Sequence, residues 1–419
     1  MSGDILQRTS TLTLNIKHLD HIRCLADHIY SSLPSPGPTV AASQVPGLFR
    51  EPFILSGYRP VRQDWRCYLL SVFQRHNESL NVWTHLLAGP VLLLRWRANV
   101  GALGYTLDAA FLPLSLFLVS ACTSLFLSVA AHLLQSHSEH AHYFFFFMDY
   151  VGVAMYQYGS SLGHYFYTSE AAWRESCVGP LFLPGAAFFG WLSCAAYCFA
   201  KARYRRPYPL RRKICQVIPA TLSYLLGISP VVHRLLTVSW TQEPAQPLLA
   251  LQIASFLLCA LFFSCPVPER FFPGRCDFVG QGHQIFHLFL SLCTVFQLEA
   301  LFQDYARRRD AMVESTRTMA PVGMVGALGW ISSPEVGVVS LVVFLVLGVS
   351  LLALCARCQR KPTNAYDVNR TTTDGAGGSN GLATTNTGGG NGVRLCSAHG
   401  ERKYVVFLQS GGEEGECCS

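Results

Sequence analysis

Charge is what this sequence has least of. Only 14% of its 419 residues are Asp, Glu, Lys or Arg, and half are hydrophobic, whereas a soluble domain carries about 25% charged residues. By length the chain has room for two or three soluble domains, and this composition excludes that reading. A second absence is an apolar opening. MSGDILQRTSTLTLNIKHLDHIR contains no hydrophobic core of a secretory signal, so the first span is expected to direct insertion itself. A third is cysteine pairing. The 16 cysteines are scattered through apolar segments and tails, which reads as small buried residues and not as a disulfide framework. Cys355 and Cys358 at the end of a span, and Cys417 and Cys418 near the C-terminus, leave unmodified thiols and palmitoylation both open.

What is present is a series of long apolar runs. A hydrocarbon core about 30 Å thick takes about 20 residues of helix, so the chain reads as an all-α polytopic membrane protein. Eight spans are expected at 80–94, 109–134, 144–166, 178–200, 214–233, 247–265, 282–302 and 336–355. Residues 1–78 form a polar N-terminal region with a Pro-rich break at SSLPSPGPT. Within it, Asp64 to Phe73 alternates aromatic, basic and apolar residues like a helix lying at the interface. Residues 79–303 are the seven-span core, 304–335 a loop, 336–356 the eighth span and 357–419 a tail. The tail's Gly/Thr/Asn tract cannot bury a core and is expected to be disordered.

Near the span ends, Lys and Arg number sixteen on the side of the N-terminus and eight on the other. The positive-inside rule puts the N-terminus and tail in the cytoplasm and the loop 304–335 outside. The densest cluster, KARYRRPYPLRRK (201–213), then faces the cytoplasm. It reads as an orientation signal that touches anionic lipid, or as a contact with a signalling partner.

Ionisable groups inside spans are expensive and usually face the bundle interior, which makes them candidates for function. Ser128 and His132 lie four residues apart near the end of span two, Asp149 lies in span three, and His283 and His287 open span seven. Span two runs inward while spans three and seven start inside. At about 1.5 Å rise per residue, all five groups fall within roughly 10 Å of one depth. Two histidines at i and i+4 share a helix face. A third from another helix completes three protein ligands and leaves a fourth position open to water. Zinc suits three imidazoles, with Asp149 and Ser128 supporting the site from outside the ligand set. His164 and His233 read instead as helix-packing hydrogen-bond groups, and His137, His140 and His142 as solvated loop histidines.

SxxxH in span two, DYVGV in span three and GHQIFH in span seven resemble the signature motifs of the progestin and adipoQ receptor family. The flanks HNESLNVWTHLL, HLLQSHSEHAHY, YQYGSSLGHYFY and FSCPVPERFFPGRCD, with the loop RYRRPYPLRRKICQVIP, resemble its membrane progestin receptor branch. The likeness runs from about LFREPFILSGYRP to LEALFQDY. It implies a seven-helix bundle of the adiponectin-receptor type, and the eighth span fits the progestin branch. It also implies a plasma-membrane receptor for progesterone-like steroids with rapid signalling through inhibitory G proteins. For the adiponectin-receptor branch it implies zinc on three histidines, matching His132, His283 and His287, with Ser128 and Asp149 beside them.

Two functions follow. One is a steroid receptor, whose rigid apolar ligand enters laterally from membrane lipid; no steroid contact is legible. The other is a zinc-dependent intramembrane hydrolase of lipid amides, with Asp149 as general base. A resemblance to alkaline-ceramidase-like proteins supports that chemistry. The absence of repeated spans speaks against a transporter, and nothing points to nucleic acid.

Overall fold

Seven long helices account for most of the described residues: α1 (Ser79–Ala102), α2 (Leu112–Leu134), α3 (Glu139–Gly163), α4 (Gly179–Arg203), α5 (Leu210–Thr237), α6 (Gln246–Ser264) and α7 (Gly282–Thr318). The computed structural model describes residues 35–318 except 105–108, 205–207 and 242, together with Val342 and Val346. The eighth span apart from those two valines, the paired C-terminal cysteines and the Gly/Thr/Asn tract all lie outside the described residues. Within them no β-strand forms, and one isolated bridge joins Val40 to Tyr58. All the described cysteines are free thiols, and most are buried.

Local chemistry sets the helix ends. Pro113, Pro180 and Pro247 stand in the first turns of α2, α4 and α6, where a missing N–H costs nothing. Ser138 caps α3 by accepting from the Ala141 amide, satisfying one orphan donor. Internal prolines at Pro90, Pro184, Pro219 and Pro230 do not stop their helices, as is tolerated where neighbouring helices shelter the freed carbonyls.

Five of the seven, α2 and α4 to α7, are long and apolar enough to cross a membrane. The other two, α1 and α3, are of similar length but carry Asn81, Thr84 and His85, or Glu139, His142 and Asp149. Each helix packs against its neighbours in chain order, and α7 returns against α1 to close a ring. Leu92, Phe117, Leu162, Leu298 and Leu301 form the centre of the main apolar cluster, joining α1, α2, α3 and α7.

One boundary differs from expectation. Residues 304–318 continue α7 as helix and do not begin a loop. Two charges in the first turn of this stretch have partners: Asp304 pairs with Arg234 of α5 at 2.7 Å, and Arg307 with Glu243.

The helices α2 and α3 approach closely. Ser120, Ser124, Ser128 and His132 recur every fourth residue, forming one stripe of α2. Facing them, a Cβ on Gly152 would lie 3.0 Å from the Ser124 Cα, and one on Gly159 would collide with the Ser120 hydroxyl. Small residues let the two backbones come together in the way typical of membrane helices. Because the helices are antiparallel, this seam carries Asp149 of α3 to the level of Ser128 and His132.

Before α1, the N-terminal segment folds over the same end of the ring. Asp64 caps the short helix Trp65–Leu70, whose Tyr68 is fully buried while Trp65 and Leu69, with Phe73 in the turn that follows, are exposed. Such exposed apolar residues are what a helix at a lipid surface needs.

Candidate metal centre

His132 sits in the last turn of α2, and His283 and His287 in the first two turns of α7. The start of α7 is fixed by its loop. Glu269 accepts from the Gly282 amide at 2.8 Å, and the Gln284 side chain accepts from the Gly280 and Gln281 amides. A Cβ at position 282 would lie 2.8 Å from the Val267 carbonyl oxygen, so only glycine lets α7 begin there.

The end of α2 is fixed by Arg59. Its buried guanidinium donates to the carbonyls of His132 and Leu133 at 2.7 and 2.5 Å and to the Ser71 hydroxyl at 2.9 Å. A cation on the last carbonyls of a helix is doubly favoured, by hydrogen bonding and by the dipole. Burial pushes the Arg59 pKa down to about 10, which leaves it charged at neutral pH.

These anchors bring three imidazole nitrogens together. His283 Nε2 lies 3.3 Å from His132 Nε2 and 3.2 Å from His287 Nε2, and the three ligand atoms all fall within 4.8 Å of one another. Zinc–nitrogen bonds of about 2.0–2.1 Å in a tetrahedral site put ligand nitrogens about 3.3 Å apart.

The far side of two rings decides what those nitrogens carry. His132 Nδ1 meets the Glu78 carboxylate at 2.8 Å, and His287 Nδ1 meets the Asn81 carbonyl at 3.1 Å. Both contacts require Nδ1 to donate, so in the neutral rings Nε2 is a bare lone pair. His283 Nε2 can offer a single proton to two such neighbours. Lone pairs converging on one point leave an electrostatic gap that a cation fills, so the donor set fits zinc.

Around the three rings stand groups of both signs. Ser128 donates to the Asp149 carboxylate, which also interacts electrostatically with His132 and Lys201. Lys201, in the last turn of α4, places its ammonium 3.7 Å from the centre of the Phe146 ring. Phe146 packs edge-on to His132, and Phe286 stacks on His283. Burial works to raise the Glu78 carboxyl, but the His132 ring and the Asn81 amide outweigh it and hold the group below the usual carboxylate range.

All five residues expected at the site from sequence thus come to one place. Several others there carry no such expectation. Glu78, Asn81 and His85 are three and then four residues apart, a single helical face at the start of α1, and that spacing was the available signal. His85 stacks on His287 with ring centres 3.8 Å apart. Lys201 belongs to the basic cluster 201–213, where its site-facing role is masked by neighbouring arginines.

The other histidines divide. His164 donates from Nδ1 to the Gly227 carbonyl at 3.0 Å, and its Nε2 lies 3.0 Å from the Gln297 amide. That is the helix-packing role its isolation predicts. The Nδ1 of His233 is buried and makes no hydrogen bond. His140 is exposed, but His142 is fully buried and gives its Nδ1 proton to Gln135 Oε1 at 2.6 Å. His137 stacks flat on Trp65 with centres 3.7 Å apart. Neither is a solvated loop residue, because the N-terminal segment covers them.

The haemolysin-III-related family model matches residues 73–298, which takes in α1 to α6 and the first part of α7. Among curated proteins, membrane progestin receptor beta of Sus scrofa is 54% identical over 313 residues, 74% of this chain and 87% of that protein. Membrane progestin receptor beta of Homo sapiens is 53% identical over 318 residues, covering 75% and 88%. Membrane progestin receptor alpha-B of Danio rerio is 44% identical over 313 residues, covering 74% and 87%. The chain belongs to the haemolysin-III-related family, within its membrane progestin receptor group.

Proposed function

We propose that this protein is a plasma-membrane receptor for a progesterone-like steroid, and that His132, His283 and His287 hold one zinc ion beside its ligand-binding bundle. The observation that carries the receptor reading is the 54% identity to a membrane progestin receptor across 74% of this chain. A steroid is rigid and membrane-soluble, so it reaches an interior site among the helices from the bilayer, paying little ordering entropy. Rapid signalling through an inhibitory G protein is the proposed output. Labelled progesterone should bind purified, lipid-reconstituted protein saturably and be displaced by unlabelled steroid. Failure to bind in a folded, zinc-replete preparation overturns the reading.

The orientation proposed places the N-terminus and the loop 201–213 in the cytoplasm, on the sixteen-to-eight excess of Lys and Arg, and the metal site in the inner leaflet. Epitopes inserted at both positions should label only after cells are permeabilised. Labelling of both in intact cells reverses the orientation and moves the site to the outer leaflet.

A second reading has its own support. Zinc, when bound, polarises a carbonyl and makes water acidic enough to attack it. Asp149 is placed to take up a proton, Ser128 orients its carboxylate, and Lys201 adds positive charge close by. Together they support the reading of a lipid-amide hydrolase of the ceramidase type, and hydrolysis and steroid reception are compatible in one protein.

A further inference from the structure

The contacts of Glu78 point to a role that the three histidines alone do not explain. Its carboxylate is 5% exposed and collects three donors. Oε2 accepts from His132 Nδ1 at 2.8 Å and from Asn81 Nδ2 at 2.5 Å, and Oε1 accepts from Gln135 Nε2 at 3.3 Å. Gln135 is in turn held from its other atom, Oε1, which lies 2.6 Å from His142 Nδ1. Asn81, in the first turn of α1, uses its backbone carbonyl to receive His287 Nδ1. The four residues 78–81 therefore grip one imidazole from α2 and one from α7.

We infer that Glu78 is a positioning residue that locks His132 in the tautomer and ring orientation presenting Nε2 to zinc, with the Asn81 carbonyl doing the same for His287. This rests on the proposed zinc site and goes beyond it, because it makes the segment entering α1 the element that assembles ligands from two other helices. A carboxylate behind a ligating imidazole raises its basicity and fixes its tautomer. The three donors also explain why the group must be an anion. An amide at this position has one acceptor atom and turns an NH2 towards donors already committed to it. Buried without partners, such a clash costs more than the lost bond. The His132 ring then relieves it by moving its proton to Nε2, where metal should bind.

The charge balance agrees. Two carboxylates, the buried Glu78 and the half-buried Asp149, stand near the imidazoles that would hold a divalent cation. Each anion is tolerable in the bundle because an opposite charge is near.

The test is a double-mutant cycle on purified full-length protein, using wild type, Glu78→Gln, His132→Ala and the double variant. Zinc affinity is read by competition with a chromophoric chelator, ligand geometry by the visible absorption of the cobalt-substituted protein, and fold by melting of the metal-free forms. Glu78→Gln should weaken zinc about 10–100-fold and alter the cobalt bands at temperatures where melting shows the metal-free variant still folded. In the His132→Ala background it should cost nothing further, because the ring through which it acts is gone. Glu78→Asp, which keeps the charge one methylene further away, should restore part of the affinity and covers the case in which the amide variant does not fold. An unchanged affinity in Glu78→Gln, or an equal loss with and without His132, overturns the inference. Wild-type protein that takes up no zinc sinks the metal site itself, an outcome the same titration separates from the others.

Discussion

Alanine in place of His132, His283 and His287 together should leave purified protein with no stoichiometric zinc, and any one of the three substitutions should sharply reduce it. Removing a ligand must cost more than the about 10–100-fold that follows from disturbing a ligand's hydrogen-bond partner. The three contributions are not equal. His132 and His287 are 2% and 1% exposed and are each tied from behind, so their loss also takes one donor from Glu78 or from the Asn81 carbonyl. His283 is only half-buried and touches both other rings through Nε2, so its loss removes the link between them. His164→Ala is the control. That ring bonds α3 to Gly227 of α5 and Gln297 of α7, so its loss should lower thermal stability and leave zinc bound. Retention of one zinc per chain by the triple variant, measured by elemental analysis, removes the site from consideration.

The clustering of the three histidines is legible in the sequence because membrane depth is a coordinate that sequence alone supplies. Counting residues from a span end gives height in the bilayer, and polar groups in apolar runs stand out against it. Asp149 and Ser128 yield to the same reasoning. Glu78 does not, since it lies just before a span, where a carboxylate is ordinary. Only the fold shows that the N-terminal segment closes over this end of the ring and buries it. His142 is hidden for the same reason. A histidine in a short loop reads as solvated unless something covers it, and what covers it here is Phe49, edge-on with centres 5.3 Å apart, from a part of the chain 93 residues away by number. The extension of α7 through 304–318 fails to show because Asp304 and the arginines after it look like the end of a span. Asp304 is instead 3% exposed and bonded to Arg234 and Thr168. Charges satisfied across the bundle cannot be told from charges in solvent by composition.

Asp149→Asn separates the receptor from the hydrolase. Asparagine keeps the shape and can still meet Ser128, but it cannot take up a proton and it removes a negative charge beside His132 and Lys201. Loss of that charge weakens the hold on a divalent cation, so every comparison is made at saturating zinc with metal content measured. A positioned general base contributes typically about 10²–10⁴-fold to rate. If hydrolysis is the output, cleavage of a ceramide-like amide by the reconstituted variant should fall by about that factor, and any steroid-triggered signal that depends on the product should fall with it. If the protein is a steroid receptor with structural zinc, steroid affinity and signalling should both survive while the metal stays bound. Steroid binding is expected to be intact in either case, because a proton acceptor at the metal contributes nothing to holding a rigid apolar ligand elsewhere among the helices. A fully metallated, folded Asp149→Asn protein that no longer binds steroid would show instead that the carboxylate is part of the steroid site, and the separation of the two sites would fail.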